Sequence, residues 1–132
     1  MSARPANHTL ATFSALAATV ILGIVSRRLH VGLDWWDKSL GDALYAVAVY
    51  LVFSLAFPRW GAPRTGSIAL LFCVAIELFQ WTGIPAAHAR LPLVRWLIGT
   101  QFSPRDLLCY LVGVLAIASL DSLWRRRSNA YT

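Results

Sequence analysis

Four long apolar runs, separated by short polar stretches, dominate the pattern of the chain. They cover residues 9–26, 40–57, 67–84 and 107–123. Each run is almost continuously apolar over about 17 residues, near the shortest helix that crosses a bilayer, whereas a barrel strand would alternate over roughly 10. The pattern therefore predicts an all-α integral membrane protein with four transmembrane helices.

A further apolar stretch lies between the third and fourth runs. Residues 85–105 are too many for a tight turn, and they include Leu91, Leu93, Trp96 and Leu97. A free loop would not carry so many apolar side chains. We therefore expect an interfacial or re-entrant segment between the third and fourth helices, lying on the membrane.

An even number of spans places the two ends of the chain on one side of the membrane, the terminal side. Residues 27–39 and 85–106 then lie together on the opposite side, which we call the far face. The twelve Lys and Arg residues divide equally between the two sides, so their count does not set the orientation. The cluster Arg125-Arg126-Arg127 directly after the fourth run is typical of a cytoplasmic boundary and predicts cytoplasmic termini.

The composition agrees with a membrane location and indicates lipid, not nucleic acid, as the binding partner. Of 132 residues, 58% are hydrophobic and 14% are charged, with a mean hydropathy of +0.58. Once four spans are counted only loops and tails remain, so residues 1–132 are expected to form a single transmembrane domain surrounded by the lipid bilayer. The formal charge of +6 comes mainly from arginines beside apolar runs, where they anchor to headgroups, so nucleic-acid binding is not expected.

The sequence contains no pattern for a metal or a cofactor. His88 has no companion at metal-ligand spacing. Cys73 and Cys109 fall inside apolar runs, where cysteine usually acts as a small packing residue. We therefore expect neither a metal site nor a bound cofactor.

Polar residues in or beside the spans gather at the far face. Glu77 and Gln80 lie near the end of the third span, and Asp106 and Tyr110 lie near the start of the fourth. Residues three or four apart share one helix face, so these side chains are expected to form one cluster. Glu77 and Asp106 are the candidates for a catalytic role. The predicted binding residues are Arg27, Asp42, Glu77, Gln80, Arg90, Asp106 and Tyr110.

The acidic residues also have structural interpretations. Asp42 follows Ser39, and Asp106 follows Ser103, at the spacing of a capping box that closes the first turn of a helix. Glu77 lies inside a span, where an acid costs about 2.5 to 3.5 kcal/mol at the helix centre, so it requires compensation. The structural alternative is a buried ion pair with an arginine of the far face, and the functional alternative is a polar ligand reached from that leaflet.

Several short motifs occur in order along most of the chain. They are Gly41-Asp42, Glu77-x-x-Gln80, Arg90, and Phe102-x-x-x-Asp106 followed by Tyr110 and Gly113. Together they resemble the bacterial membrane family described as domain of unknown function 2809 (DUF2809), which is similar to VanZ-like proteins. The resemblance implies four helices and a bacterial cytoplasmic membrane, and it implies no demonstrated reaction. VanZ-like proteins are associated with glycopeptide resistance, but Tyr110 stands where an asparagine is expected, so that role is not carried over.

Three functions are compatible with these residues. The first is a membrane-embedded site that binds or processes a lipid headgroup or an anionic, lipid-linked cell-envelope precursor, with arginines clamping phosphate and Glu77 or Asp106 handling a proton. The second is a noncatalytic accessory or oligomeric subunit, in which Ala11, Ala15 and Ala18 form a small-residue seam for helix association. The third, a proton-coupled transporter, is weakest because four short helices without an internal repeat are poorly suited to alternating access.

Overall fold

A computed structural model describes residues 6–29, 32–95 and 103–131. Within these ranges 86% of the residues are helical and none lies in a strand. Four helices of this part of the chain are long and apolar enough to cross a membrane, which confirms the predicted all-α membrane architecture. The elements are α1 (Ala6–Arg28), α2 (Asp34–Ala56), α3 (Ala62–Trp81), a short α4 (Ile84–Ala87) and α5 (Pro104–Ala130).

The long helices extend beyond the predicted apolar runs at most of their ends. α2 begins at Asp34, ahead of the predicted start at Leu40, and α5 continues through the final arginines to Ala130. An apolar run marks the part of a helix that lies in hydrocarbon, and flanking Trp, Lys and Arg residues carry the helix into the interface. α3 ends early, at Trp81, because Gly83 adopts a left-handed φ of 78°.

Neither predicted capping box forms, although both lie in the described part of the chain. Ser39 is inside α2, whose start at Asp34 leaves no helix terminus next to Asp42. Ser103 does precede α5, as predicted, but its side chain makes no capping hydrogen bond. Its carbonyl accepts the Asp106 N–H at 3.0 Å. The two aspartate side chains are therefore left for other contacts.

α2 is the central helix of the bundle. It packs against α1, α3 and α5, and α3 also packs against α5. The buried core contains mainly small and aromatic side chains: Ala46, Tyr50, Leu51, Ala69, Cys73, Tyr110 and Val114. Cys73 is buried and Cys109 half-buried, and both are free thiols. Small residues allow close helix approach, on which association in a membrane depends because lipid is as apolar as the core.

A close approach of α2 and α5 occurs at Gly113. A Cβ atom built on Gly113 would lie 2.5 Å from the carbonyl oxygen of Ala43, so the contact requires glycine. Ala43 is the neighbour of Asp42 on α2, and Gly113 lies one turn after Tyr110 on α5. The contact therefore fixes the spacing of two helices that carry polar residues of the far face.

Large apolar side chains cover the outside of the bundle. Only 11% of the apolar window of α1 is buried inside the protein. α5 exposes Leu108, Val112 and Leu115, which lie on one side of the helix. An exposed apolar surface of this extent suits a lipid environment and not water.

The predicted interfacial or re-entrant segment is described only in part. α4 occupies Ile84–Ala87, Pro85 is buried, and Leu91 and Leu93 are exposed. No helix in this described portion is long enough to cross the membrane. The next residues of the predicted segment, 96–102, lie outside the described residues.

Candidate functional site at the far face

The far-face end of the bundle contains a fully buried carboxyl group, that of Glu77. Its side chain is 0% exposed and projects from the last two turns of α3. The Tyr110 hydroxyl on α5 donates a hydrogen bond to Glu77 Oε1 at 2.8 Å, and the Ser103 N–H donates to Oε2 at 3.4 Å. Both carboxyl oxygens are therefore held by uncharged donors.

Two further carboxyl groups, those of Asp42 and Asp106, lie close to Glu77 and to each other. Asp106 is buried in the first turn of α5, and Lys38 Nζ lies 3.6 Å from its Oδ1. The lysine side chain is 52% exposed, so water screens its charge. The Asp42 carboxyl is within hydrogen-bonding range of the Asp106 carboxyl, and a hydrogen bond between two such groups requires a proton on one of them.

One oxygen of this group is not satisfied. Asp42 Oδ2 is buried and has no hydrogen-bond partner in the described part of the chain. A buried acceptor without a donor destabilises a protein by about 1 to 3 kcal/mol, so such an atom calls for a physical explanation. A hydrogen-bond donor on a bound molecule would explain why this oxygen has no partner within the protein.

We define Lys38, Asp42, Glu77, Asp106 and Tyr110 as the far-face cluster. It combines three carboxyl groups with one cation, so it is rich in acid. Carboxyl groups attract protons, ammonium groups and hydroxyl donors, and their charged forms repel phosphate. The cluster is therefore suited to bind a hydrogen-bond donor or a cation. It is not suited to bind phosphate, which the sequence analysis expected arginines to hold.

The predicted arginines lie outside the cluster. Arg27 at the end of α1 and Arg90 beyond α4 are exposed, and neither forms an ion pair with a described residue. The predicted alternative of a buried ion pair between Glu77 and an arginine is therefore wrong for the described chain, because neutral donors hold the carboxyl group instead. Gln80, one turn after Glu77 on α3, is buried.

An apolar groove of about 560 Å³ runs between α1 and α2 and opens outwards. Its apolar walls include Leu16, Val20, Ile24, Ala48, Val49 and Val52. At the far-face end the lining contains Arg27, Gly41 and Tyr45. The Tyr45 ring contacts the Tyr110 ring, with centroids 6.1 Å apart, so this end of the groove adjoins the far-face cluster.

A second polar network, at the terminal side, was missed by the sequence analysis. Asp121 on α5 accepts a hydrogen bond from the Tyr50 hydroxyl at 2.6 Å and lies 3.1 Å from His8 Nε2. Arg125 donates to both Asp121 oxygens, at 3.0 and 2.8 Å, and to the Trp60 carbonyl at 3.0 Å. An Asp inside an apolar run with an Arg four residues later is the sequence signal that could have indicated it.

The terminal-side network has a structural role, because it holds three helix ends together. It connects the start of α1, the end of α2 and the end of α5 through one carboxyl group with a charged partner. Because His8 belongs to the first turn of α1 and Asp121 to the later part of α5, these two helix ends lie on the same side of the bundle. This arrangement agrees with the even number of spans.

The described part of the chain contains no group of three or more His, Cys, Asp or Glu side chains that could hold a metal ion. His88, for which the sequence indicated no metal-binding companion, has its Nδ1 2.9 Å from the carbonyl oxygen of Ile84. Its ring is therefore engaged within its own turn.

Comparison with known proteins gave a family match. The model of a family described as "Protein of unknown function (DUF2809)" matches residues 31–114. This range contains every residue of the far-face cluster, whereas Arg27 and Asp121 fall outside it. No curated protein and no solved structure matches the chain. The expected likeness to VanZ-like proteins stays a prediction.

Proposed function

The chain belongs to the DUF2809 family of proteins of unknown function, and we propose that it binds or processes the polar headgroup of a lipid, or of a lipid-linked cell-envelope precursor, at the far-face cluster. The observation that carries this proposal is the placement of three carboxyl groups at one end of a membrane bundle: those of Glu77 and Asp106 are buried, that of Asp42 is half-buried, and none has an arginine partner among the described residues. We place the protein in the bacterial cytoplasmic membrane, with the far face outside the cell.

The free-energy cost of placing these carboxyl groups in a membrane supports the proposal that the cluster binds a ligand. Ionisable groups inside a membrane are expensive and are usually retained for binding or transport. Asp121 at the terminal side is compensated by Arg125, but among the described residues the far-face acids have only the half-exposed Lys38 as a charged partner. A headgroup that donates hydrogen bonds would satisfy Asp42 Oδ2 and offset part of this cost.

The position of the cluster allows a headgroup to reach it from the far leaflet. Lys38 lies at the rim and is about half exposed, while Asp106 behind it is buried. Tyr45 lines the apolar groove on one side and contacts Tyr110 on the other. A lipid could therefore leave its chain in apolar surroundings and direct its headgroup towards the carboxyl groups.

Proton transfer is the chemistry that these residues could perform on a bound headgroup. Asp42 and Asp106 lie close together, so a proton held between the two carboxyl groups would be available for transfer. Glu77, held by Tyr110 and the Ser103 N–H, would orient the ligand. Binding requires only the acceptors, whereas processing requires in addition that a proton held between Asp42 and Asp106 be exchanged with the ligand.

The proposal is tested by native mass spectrometry of the protein extracted with its own lipids. Wild type is compared with Glu77→Gln, Asp42→Asn and Asp106→Asn, and Asp37→Asn serves as a matched control outside the cluster on α2. We expect wild type and the control to retain a specific molecule that the three cluster variants release. Equal retention by all five proteins, or none by wild type, would contradict a headgroup site at this cluster.

A noncatalytic accessory or oligomeric subunit is the second candidate. It is favoured by α1, which buries little of its surface inside the protein and exposes Ala11 and Ala18 of the predicted small-residue seam. Small exposed residues allow another helix to approach closely. The mass of the particle in nanodiscs discriminates, because a strictly monomeric particle without a copurifying protein counts against this candidate.

A further inference from the structure

The groove between α1 and α2 has the length of one membrane leaflet. Its lining runs along α1 from Leu16 to Arg27, and the eleven steps between these residues, at 1.5 Å each, correspond to about 16 Å. The hydrocarbon core of a bilayer is about 30 Å thick, so one leaflet accounts for about 15 Å. The groove thus spans the hydrocarbon depth of the far leaflet and ends at its polar boundary.

The space in the groove is left open by the protein itself. A Cβ atom added to Gly23 on α1 or to Gly41 on α2 would meet no atom within 4 Å. The walls between these glycines and the inner end are apolar, with aliphatic side chains and the rings of Phe53 and Phe72. In a bilayer, the material that fills an outward-facing apolar groove of one-leaflet length is a hydrocarbon chain.

The polar end of the groove presents charges in a fixed order. Arg27 is the charged residue in the lining, and its guanidinium is suited to a phosphate group. Gly41, also in the lining, directly precedes Asp42, whose Oδ2 lacks a partner in the described chain. A headgroup at this end of the groove therefore has the Arg27 cation in the lining itself, and the Asp42 carboxyl group lies behind the lining, next to Gly41.

From this order we infer that the groove holds one acyl chain of an amino-phospholipid of the far leaflet, with its phosphate at Arg27 and its ammonium group at Asp42. The inference rests on the proposed headgroup site and specifies its ligand class. An amino-phospholipid carries an anion near its chains and a hydrogen-bond-donating cation beyond it, which matches the order of charges. A phosphatidylglycerol offers no cation to the carboxyl groups, and a polyprenyl chain is longer than the groove.

The test uses the full chain in detergent with equal amounts of four synthetic lipids, followed by native mass spectrometry. The lipids are phosphatidylethanolamine, phosphatidylcholine and phosphatidylglycerol with identical acyl chains, and a polyprenyl phosphate. Gly23→Leu fills the groove, and Ala17→Leu, at an exposed position of α1 outside the lining, is its matched control. Arg27→Gln is compared with Arg28→Gln, an exposed neighbour that does not line the groove.

We expect wild type and both controls to retain phosphatidylethanolamine in preference to phosphatidylcholine, whose quaternary ammonium donates no hydrogen bond. Arg27→Gln should lower that retention roughly tenfold or more, because a hydrogen bond to a charged group contributes about 1.5 to 3 kcal/mol. Gly23→Leu should also lower it, because the new side chain occupies the space of the acyl chain. Asp42→Asn should remove the preference over phosphatidylcholine. Thermal unfolding of Gly23→Leu, monitored by circular dichroism, should match that of wild type.

Unchanged retention in Gly23→Leu and Arg27→Gln would overturn the groove as the chain site. If Glu77→Gln loses its native lipid in that case, the headgroup site stands and only the groove assignment falls. Preference for phosphatidylglycerol or for polyprenyl phosphate would overturn the amino-phospholipid assignment. If neither the groove variants nor the cluster variants alter retention, both proposals are wrong.

Discussion

A carboxyl group inside a membrane protein is stable only where its oxygens are satisfied, and two acids of this chain differ in how this is achieved. Asp121 accepts hydrogen bonds from Arg125 and Tyr50, so a charged partner and a neutral one share its oxygens. Among the described residues Glu77 accepts hydrogen bonds only from neutral donors, and one oxygen of nearby Asp42 has no donor. Incomplete satisfaction of this kind is expected at functional sites, which are stabilised by the rest of the fold.

Replacing Tyr110 by Phe tests the hydrogen bond that holds Glu77. The substitution keeps the ring in the core but removes the donor 2.8 Å from Glu77 Oε1. An unsatisfied buried acceptor should lower the free energy of unfolding by about 1 to 3 kcal/mol. Unfolding in mixed micelles with increasing denaturing detergent measures the change. Tyr131→Phe, at a residue that is 91% exposed, is the control and should behave as wild type. An equal effect of both variants would show that the hydrogen bond contributes nothing.

The depth of each polar residue could be predicted from the sequence, but its partners could not. Counting along the apolar runs places Glu77, Asp106 and Tyr110 at one end of the bundle. Which side chains then touch depends on how α3 and α5 are rotated about their axes. Opposite charge suggested an arginine for Glu77, whereas the helix rotation brings the Tyr110 hydroxyl to it. The pairing of Asp121 with Arg125 was not predictable from hydropathy, because a single acid near the end of an apolar run changes its mean hydropathy little.

At the scale of helices, length and apolar content were sufficient to predict the four spans, and the packing faces were not predictable. A helix of a soluble protein shows an apolar face and a polar face, so its buried side can be read from the sequence. Here the neighbours of a helix are either other helices or lipid, and both are apolar. Small residues are the remaining signal, as at the contact of Gly113 with Ala43.

Gly113→Ala is expected to separate α2 from α5. The new Cβ would lie 2.5 Å from the Ala43 carbonyl oxygen, which belongs to the backbone and cannot rotate away. Overpacking of this kind lowers the free energy of unfolding by about 1 to 3 kcal/mol. The same detergent titration measures it. Gly23→Ala is the control, because an added Cβ there meets no atom within 4 Å and alanine favours helix over glycine by about 0.5 to 1 kcal/mol. Wild-type stability of Gly113→Ala would mean that the helices do not approach so closely.

At the scale of the whole molecule, the bundle has two different polar ends. The terminal side is joined by Asp121 and Arg125, and the far face contains the acid-rich cluster with Lys38 at its rim. Basic residues are shared equally between the two sides of the predicted topology, so the usual charge bias does not favour one orientation. The arginine cluster that ends α5 is the asymmetric feature from which we expect cytoplasmic termini.

Cysteine labelling in intact bacterial cells decides the orientation. In a background with Cys73→Ala and Cys109→Ser, single cysteines replace Ala87 at the far face or Tyr131 at the terminal side, both exposed and uncharged positions. We expect a membrane-impermeant maleimide to label Ala87→Cys in intact cells and Tyr131→Cys only in opened membranes. The reverse pattern would turn the far-face cluster towards the cytoplasm, and its lipid would then come from the inner leaflet. Labelling of both positions in intact cells would indicate that the equal division of basic residues allows two orientations, in which case a headgroup site could serve either leaflet.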